Sequence, residues 1–436
     1  MKQLLLAVLA VVSSSLVACA GPGAALPPPG APPTPVPPHG PIGADAREKF
    51  DAALDVFVRH DHANDWDAAT CSSVAAMFDA AAAAQHGPYA QATYDAGLAF
   101  QRCNDDASAR ARFEKAAKDD PSFDAALARV ALYRFKQDAN ADSAIDVIQR
   151  AVAQGEFKNV AALVDLAAMQ MARDGAQSAP GCKDDMECAK LNLQRALAID
   201  DAYMPAKNQL ALYYLQSAKK RAGRTKHADV QQLELAALVC SQAIAKDPGF
   251  ATIHNTSGLI LNELGQINGA VAEFGVATKL DPKFFEAQMN LAAVNLSFRG
   301  FDQAEHAYQK ALDVRPNDYN AHLGLALALR GQLASGDPNY TQRLAAIEQQ
   351  LDAAKKADAD RPDAWFNEGI LTQEFEARAG ASDAQTLAAL DHAEKAFKQF
   401  LDKARGKVEY EGASERAKER LQDIDTARGF LAKKPP

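Results

Sequence analysis

INGAVAEFGVATKLDP, residues 267–282, decides how this chain is built. Ala270, Phe274, Ala277 and Pro282 stand in it at spacings of four, three and five. One period of 34 residues earlier stand Ala236, Cys240, Ala243 and Pro248, and one period later Ala304, Tyr308, Ala311 and Pro316. Ala109, Phe113, Ala116 and Pro121 repeat the spacing upstream. A spacing of four and three keeps three residues on one helical face. Proline cannot continue a helix and ends it. Before each set lies an apolar helical stretch with a small residue near its middle: Gly97, Ala211, Gly258 or Ala292. The small residue on the first helix and the first alanine on the second let two backbones approach closely. The large residue is expected to fill the gap toward the next unit.

This pattern resembles the tetratricopeptide repeat. The resemblance implies an all-α fold, a right-handed superhelical solenoid of antiparallel helix pairs. Weaker copies add Ala144, Ile148 and Ala151; Ala189, Leu193 and Ala196; a unit opening at Tyr319 with Gly324; and a last one with Trp365, Gly369, Ala393 and Phe397. About eight units then cover residues 87–402. Insertions are expected at 175–187, 218–230, 331–341 and 379–386. Residues 44–86 read as N-terminal capping helices, with Phe50, Leu54, Phe57, Trp66, Val74 and Phe78 at helical spacing. Residues 403–436 read as a C-terminal capping helix and tail, with Ala417, Leu421, Ile424 and Phe430 on its apolar face.

Carried onto this chain, the family's inner-groove positions select polar side chains at Asn208, Asn255, Asn262 and Arg330. They select larger apolar ones at Tyr94, Leu212, Leu259, Met289, Leu323 and Phe366. Amides can pair with a peptide backbone, and apolar groups can hold its alternate side chains. Arg330 is expected to supply a basic end to this groove. The basic clamp that some relatives use for acidic C-termini is missing, because Tyr94 and Leu98 stand where Lys and Asn would be needed.

The N-terminus carries a different message. A short positive start, the apolar run 4–12 and the small residues 13–18 read as an export signal. Leu16-Val17-Ala18-Cys19 resembles the bacterial lipobox, which implies cleavage after residue 18 and acylation of Cys19. Several acyl chains together anchor stably where one would not. Ala20 in the following position implies outer-membrane delivery, facing the periplasm. Ten of the 21 prolines fall in the rest of the tether, residues 19–43. An extended polyproline spacer of that length reaches on the order of 70 Å.

Export places the other cysteines in an oxidising compartment. Cys182 and Cys188 bracket a polar loop and are near enough to pair; Cys71 and Cys103 are the next candidates. The repeat pattern gives Cys240 a core position, so it is the thiol expected outside the bridges. The net charge of −9 argues against nucleic acid as a partner. No phosphate-binding loop, HExxH, GxSxG or GxGxxG occurs, so no enzyme activity, small-molecule substrate, cofactor or metal is expected. His60-Asp61-His62 reads as a solvated helix end. Lys219, Lys220, Arg221, Arg224 and Lys226 read as a basic loop.

The lipobox, proline tether and eight-unit solenoid together resemble the repeat lipoproteins of myxobacterial gliding machinery. They imply a periplasmic scaffold that holds the protein partners of an envelope complex at the outer membrane. Two other roles fit the same parts: a pilotin-like assembly factor for a type IV pilus secretin, and a binding regulator of cell-wall or lipopolysaccharide synthesis enzymes.

Overall fold

The computed structural model describes residues 41–63, 65–138, 141–176, 181–225, 229–334, 336–380 and 382–432. The export signal, Cys19, nearly all of the tether and Lys226 lie outside them. The described residues form helices joined by short turns, with no strand. None of these helices is long and apolar enough to cross a membrane.

The chain divides into two compact units between Lys246 and Asp247. The N-terminal unit holds α1 (Ala44–Ala63), α2 (Ala68–Ala84), α3 (Ala90–Arg102), α4 (Asp106–Asp119) and α5 (Asp124–Asp138). It continues with α6 (Ala141–Gln154), α7 (Val160–Arg173), α8 (Asp185–Ile199), α9 (Met204–Thr225) and α10 (Val230–Lys246). The C-terminal unit holds α11 (Ala251–Glu263), α12 (Ile267–Leu280), α13 (Phe285–Ser297), α14 (Phe301–Val314), α15 (Tyr319–Gly331) and α16 (Tyr340–Ala357). Then come α17 (Asp363–Leu371, prolonged to Ala379), α18 (Asp383–Ala404) and α19 (Glu411–Ala432). Consecutive helices pack as hairpins, α3 with α4 through α17 with α18.

The repeat alanines work as expected. Ala109, Ala116, Ala236, Ala243, Ala270, Ala277, Ala304 and Ala311 are all fully buried. The large residue between them does more than the spacing suggests. A Cβ built on Gly97 would stand 2.7 Å from the Phe113 ring, and one on Gly258 2.6 Å from that of Phe274. These rings therefore lie over the glycine of their own hairpin. Phe113 also reaches Tyr133 on α5, with ring centroids 5.7 Å apart. Tyr308 follows the expected direction strictly, lying over Gly324 of the next pair.

The turns at Pro121, Pro248 and Pro282 use the aspartate that precedes the proline, whereas Pro316 follows Arg315. Asp120, Asp247 and Asp281 each accept a hydrogen bond from the backbone N–H two residues on, at 2.9 Å. Asp200 and Asp358, without a following proline, do the same at 2.8 and 3.1 Å. Such Asx turns satisfy the chain as it leaves one helix and enters the next. Proline stops the helix, but aspartate shapes the turn.

A second periodic device follows Pro248, Pro282 and Pro316 by six residues. His254 Nε2 donates to the Pro248 carbonyl at 3.0 Å, Gln288 Nε2 to that of Pro282 at 3.4 Å, and His322 Nε2 to that of Pro316 at 2.9 Å. The other His254 nitrogen lies 2.7 Å from the Glu273 carboxylate. Gln288 shows that glutamine can make the carbonyl bond. His254→Gln should therefore keep it, lose only the Glu273 contact, and cost about 1 kcal/mol. Urea unfolding of the C-terminal unit measures this; a loss as large as that of His254→Ala would contradict it.

Cys71 is bridged to Cys103 and Cys182 to Cys188, with Cα separations of 6.3 and 5.1 Å. Cys240 is fully buried and belongs to neither bridge. The first bridge ties α2 to the end of α3, and in the same cap Phe57 packs against Trp66 and Phe78. In α19 Ala417 and Ile424 are fully buried, but Phe430 is 74% exposed. The apolar face of that helix stops short of Phe430.

The insertion at 218–230 is not a basic loop. Helix α9 runs on through it to Thr225, carrying Lys219, Lys220 and Arg221. Lys220 pairs with Asp174 at 2.5 Å and Arg221 with Asp229 at 2.8 Å. Near the N-terminus, Asp61 accepts from Trp66 Nε1 at 2.8 Å and from Arg102 at 2.7 Å. The His-Asp-His run thus holds the cap to α3, and His60 itself lies 2.7 Å from Asp65. The helix end is joined to its neighbours by specific contacts, beyond the solvated end that the sequence suggests.

Candidate functional site

Within each unit the first helices of successive pairs touch one another: α5 with α7 and α7 with α9, then α11 with α13, α13 with α15 and α15 with α17. Their side chains form a row, which is where the sequence places the candidate binding residues.

In the N-terminal unit this row contains a polar chain that the sequence reading did not find. Arg129 on α5 faces Asp165 on α7, Nη1 to Oδ2 3.5 Å, with side-chain exposures of 22 and 21%. The Tyr94 hydroxyl lies within the field of the Arg129 guanidinium. Its ring is held by Phe113 and Phe123, at centroid distances of 5.3 and 5.1 Å. Tyr203, in the turn before α9, lies within the field of Asp165 and Arg129. Burial pushes the Asp165 carboxyl up, and Arg129 pulls it back. Four groups from four successive pairs thus share one partly desolvated line, with opposite charges at its centre. No sequence signal marks it, because Arg129 and Asp165 are single charges 36 residues apart on helices whose register is loose.

Asn208 is buried on α9, and Leu212 is half-buried against the core of α6 to α8. In the C-terminal unit the candidates divide. Asn262 is half-buried; so are Leu259, against Phe274 and Val294, and Met289, against Ala292 and Ala304. Asn255 is 7% exposed, and its Oδ1 accepts from Asn290 Nδ2 at 2.9 Å. Its amide is engaged between two adjacent first helices and does not stand open to a peptide, as the sequence reading expected. Leu323 is buried among Tyr319, Ala326, Leu344 and Ile347. Phe366 packs edge-on against Phe397 and tilted against Phe400, at centroid distances of 5.7 and 5.0 Å.

Arg330 also departs from expectation. Its guanidinium donates to Asn367 Oδ1 at 3.0 Å. Burial pushes its pKa down to about 10. It is a partner of α17 more than a basic end presented to a ligand. In each case the cause is the same: first helices sit close enough that residues facing inward also face each other.

A hollow of about 730 Å³ lies between the end of α18 and the start of α19. Lys398, Arg405 and Lys418 are engaged with the carboxylates of Glu394, Asp402 and Glu415, and Lys407 reaches the Asp360 carbonyl at 3.5 Å. Among the described residues no group of His, Cys, Asp and Glu is arranged to hold a metal ion.

No model of a known protein family matches the chain. A curated Mycosarcoma maydis protein, small glutamine-rich tetratricopeptide repeat-containing protein 2, is 29% identical over 112 residues, 26% of this chain. The chain spans about a third of that relative's length, 32%. Among solved structures, a thermophilic TPR protein of Thermus thermophilus is 24% identical, covering 48% of this chain and 99% of its own, with a TM-score of 0.41. Pseudomonas aeruginosa pilF is 19% identical over 60% of this chain and 99% of its own, TM-score 0.43. A tetratricopeptide repeat protein of Parabacteroides merdae is 15% identical over 70% and 99%, TM-score 0.38. The chain is thus similar over part of its length to tetratricopeptide-repeat proteins, and its own repeated hairpins carry the all-α assignment.

Proposed function

We propose that this protein is a non-enzymatic scaffold lipoprotein that binds partner proteins along the first-helix rows and gathers an envelope machine at the outer membrane. The Leu16–Cys19 lipobox and the proline tether support the anchor. The anchor, the tether and the repeated pairs together favour a machine of the gliding-motility type. The observation that carries the binding role is the Tyr94–Arg129–Asp165–Tyr203 line. A half-buried ion pair with two phenols nearby offers an extended segment both signs of charge and hydroxyl groups. Such groups, already partly desolvated, add affinity at little further desolvation cost.

Crosslinked pull-down from intact envelopes tests this. Changing Arg129 and Asp165 together to alanine removes the pair without stranding either charge. Partner recovery should fall about tenfold, the equivalent of roughly 1.4 kcal/mol, with helical content unchanged. Equal recovery would move the binding surface away from this row. Cys19→Ser should leave the outer-membrane fraction or accumulate uncleaved; a processed variant still in that fraction would refute the anchor.

A further inference from the structure

The turn between α6 and α7 carries a backbone anomaly. Glu156 and Phe157 are consecutive residues in the left-handed region, at φ 50° and 59°. Side chains disfavour that region, bulky ones most. Gly155 stands just before them, but it is needed for a close approach: a Cβ on it would lie 2.6 Å from Asp124 Oδ2. The same Asp124 oxygen accepts from Asn159 Nδ2 at 2.7 Å, and Asn159 Oδ1 caps α7 through the Ala162 N–H at 3.0 Å. The Phe157 N–H donates to the Val152 carbonyl and the Lys158 N–H to that of Gly155, both at 2.8 Å. These contacts fix the turn and hold Phe157 in its unfavourable conformation.

Full burial would offset such strain, but the Phe157 side chain is 45% exposed. Over its ring lies the Arg195 guanidinium of α8, 5.1 Å from the ring centroid. Ile199, one turn further along the same face of α8, is 50% exposed. Arg195 Nη1 donates to Asn192 Oδ1 at 3.3 Å, and among the described residues no carboxylate pairs with this guanidinium. The acids that flank the three residues in sequence are already engaged. Glu156 pairs with Lys158 at 2.5 Å and Asp201 with Lys246 at 3.1 Å, while Asp200 accepts from the Ala202 N–H at 2.8 Å. The patch is thus an aromatic ring, a guanidinium without an acid, and an aliphatic side chain.

Protein interfaces concentrate their binding energy on aromatic and arginine side chains. A guanidinium lying on a ring still presents N–H groups at its edge, and their fork suits a carboxylate. We propose that Phe157, Arg195 and Ile199 form a second docking site, on the turn edge of the N-terminal unit and apart from the first-helix row, for a partner's acidic segment with an apolar residue beside its carboxylate. The carboxylate takes Arg195, and the apolar side chain lies on Phe157 and Ile199. The left-handed turn keeps the ring out of the core and preset for contact, so little ordering is left for the binding step.

Selection of displayed random dodecapeptides against the purified full chain tests this. The peptides recovered should carry Asp or Glu next to an apolar residue. They should bind Phe157→Gly and Arg195→Gln about tenfold more weakly than the wild type, and should bind the double alanine variant of Arg129 and Asp165 as well as the wild type. Phe157→Gly should unfold no earlier than the wild type, because glycine enters the left-handed region freely and the ring stands largely outside the core. No recovered peptide, recovered peptides without acidic residues, or retained binding in both single variants would overturn the site. So would a lower unfolding midpoint for Phe157→Gly, which would mean that the ring is held there for the fold. Peptides that lose binding only in the double alanine variant would support the first-helix row and refute this site.

Discussion

Arg173→Ala should destabilise the N-terminal unit by about 3–5 kcal/mol, the usual cost of stranding one member of a buried ion pair. Arg173 ends α7 and reaches Asp185 with a two-pronged guanidinium contact, both distances 2.7 Å, while Nη1 holds Asp142 at 2.8 Å. Asp185 is 1% exposed, and it also accepts from the Gly175 backbone N–H at 2.8 Å. Without Arg173 a carboxylate would stay buried against that amide. The Gly175–Asp185 contact would have to open or the carboxyl take up a proton, while the Cys182–Cys188 bridge still closes the chain at the start of α8. Acid dependence separates this account from simple loss of packing. Burial acts against the Asp185 charge, but Arg173 and Gly175 outweigh it and hold the carboxyl below its ordinary 3.8. In the wild type, the stability from this group is therefore present above about pH 4 and lost as pH falls further. In Arg173→Ala the sign should reverse, because the unpaired carboxyl now prefers its proton, and mild acid should recover part of the loss. Urea unfolding across pH decides it; a loss under about 1 kcal/mol, or no reversal, would show that the loop does not depend on the pair.

Gly324→Ala should destabilise the C-terminal unit by about 2–3 kcal/mol, although alanine is the better helix former. The new methyl would stand 2.2 Å from Tyr308 Cζ and 2.4 Å from Cε1. Tyr308 is 1% exposed and packed among Ala292, Ala304, Leu325 and Ala328, so its ring cannot swing away without moving α14 from α15. Overpacking of this kind costs about 1–3 kcal/mol or more. The helix-propensity gain of about 0.5–1 kcal/mol offsets only part of it. Tyr308→Leu should relieve the clash, since Leu193 fills the corresponding place after Ala189 and is also fully buried. In the double variant the glycine substitution should then cost under about 1 kcal/mol. Additive losses would mean that the methyl and the ring do not compete for one space. Both proteins should remain helical by circular dichroism, so the comparison rests on unfolding midpoints.

The hairpin units were legible because their cause is local. Ala270, Phe274 and Ala277 share a face by helical geometry alone, and Pro282 ends the helix whatever surrounds it. The alanine sets, the cap around Phe57 and Phe78, and the core place of Cys240 follow from such arithmetic. The loop cysteines were likewise close enough in sequence to be paired in advance. The candidate site was only partly legible. Family positions picked Asn255 and Arg330, but could not say whether Asn255 would meet a ligand or Asn290, or whether Arg330 would meet solvent or Asn367.

Those choices depend on the distance between neighbouring first helices, which no single repeat contains. The same holds for Arg129 and Asp165 and for Arg173 reaching across an insertion. Periodicity determined which residues turn inward. Tertiary packing decided which of them are consumed by one another, because burial makes an unpaired charge or amide costly, and each inward group takes the nearest partner.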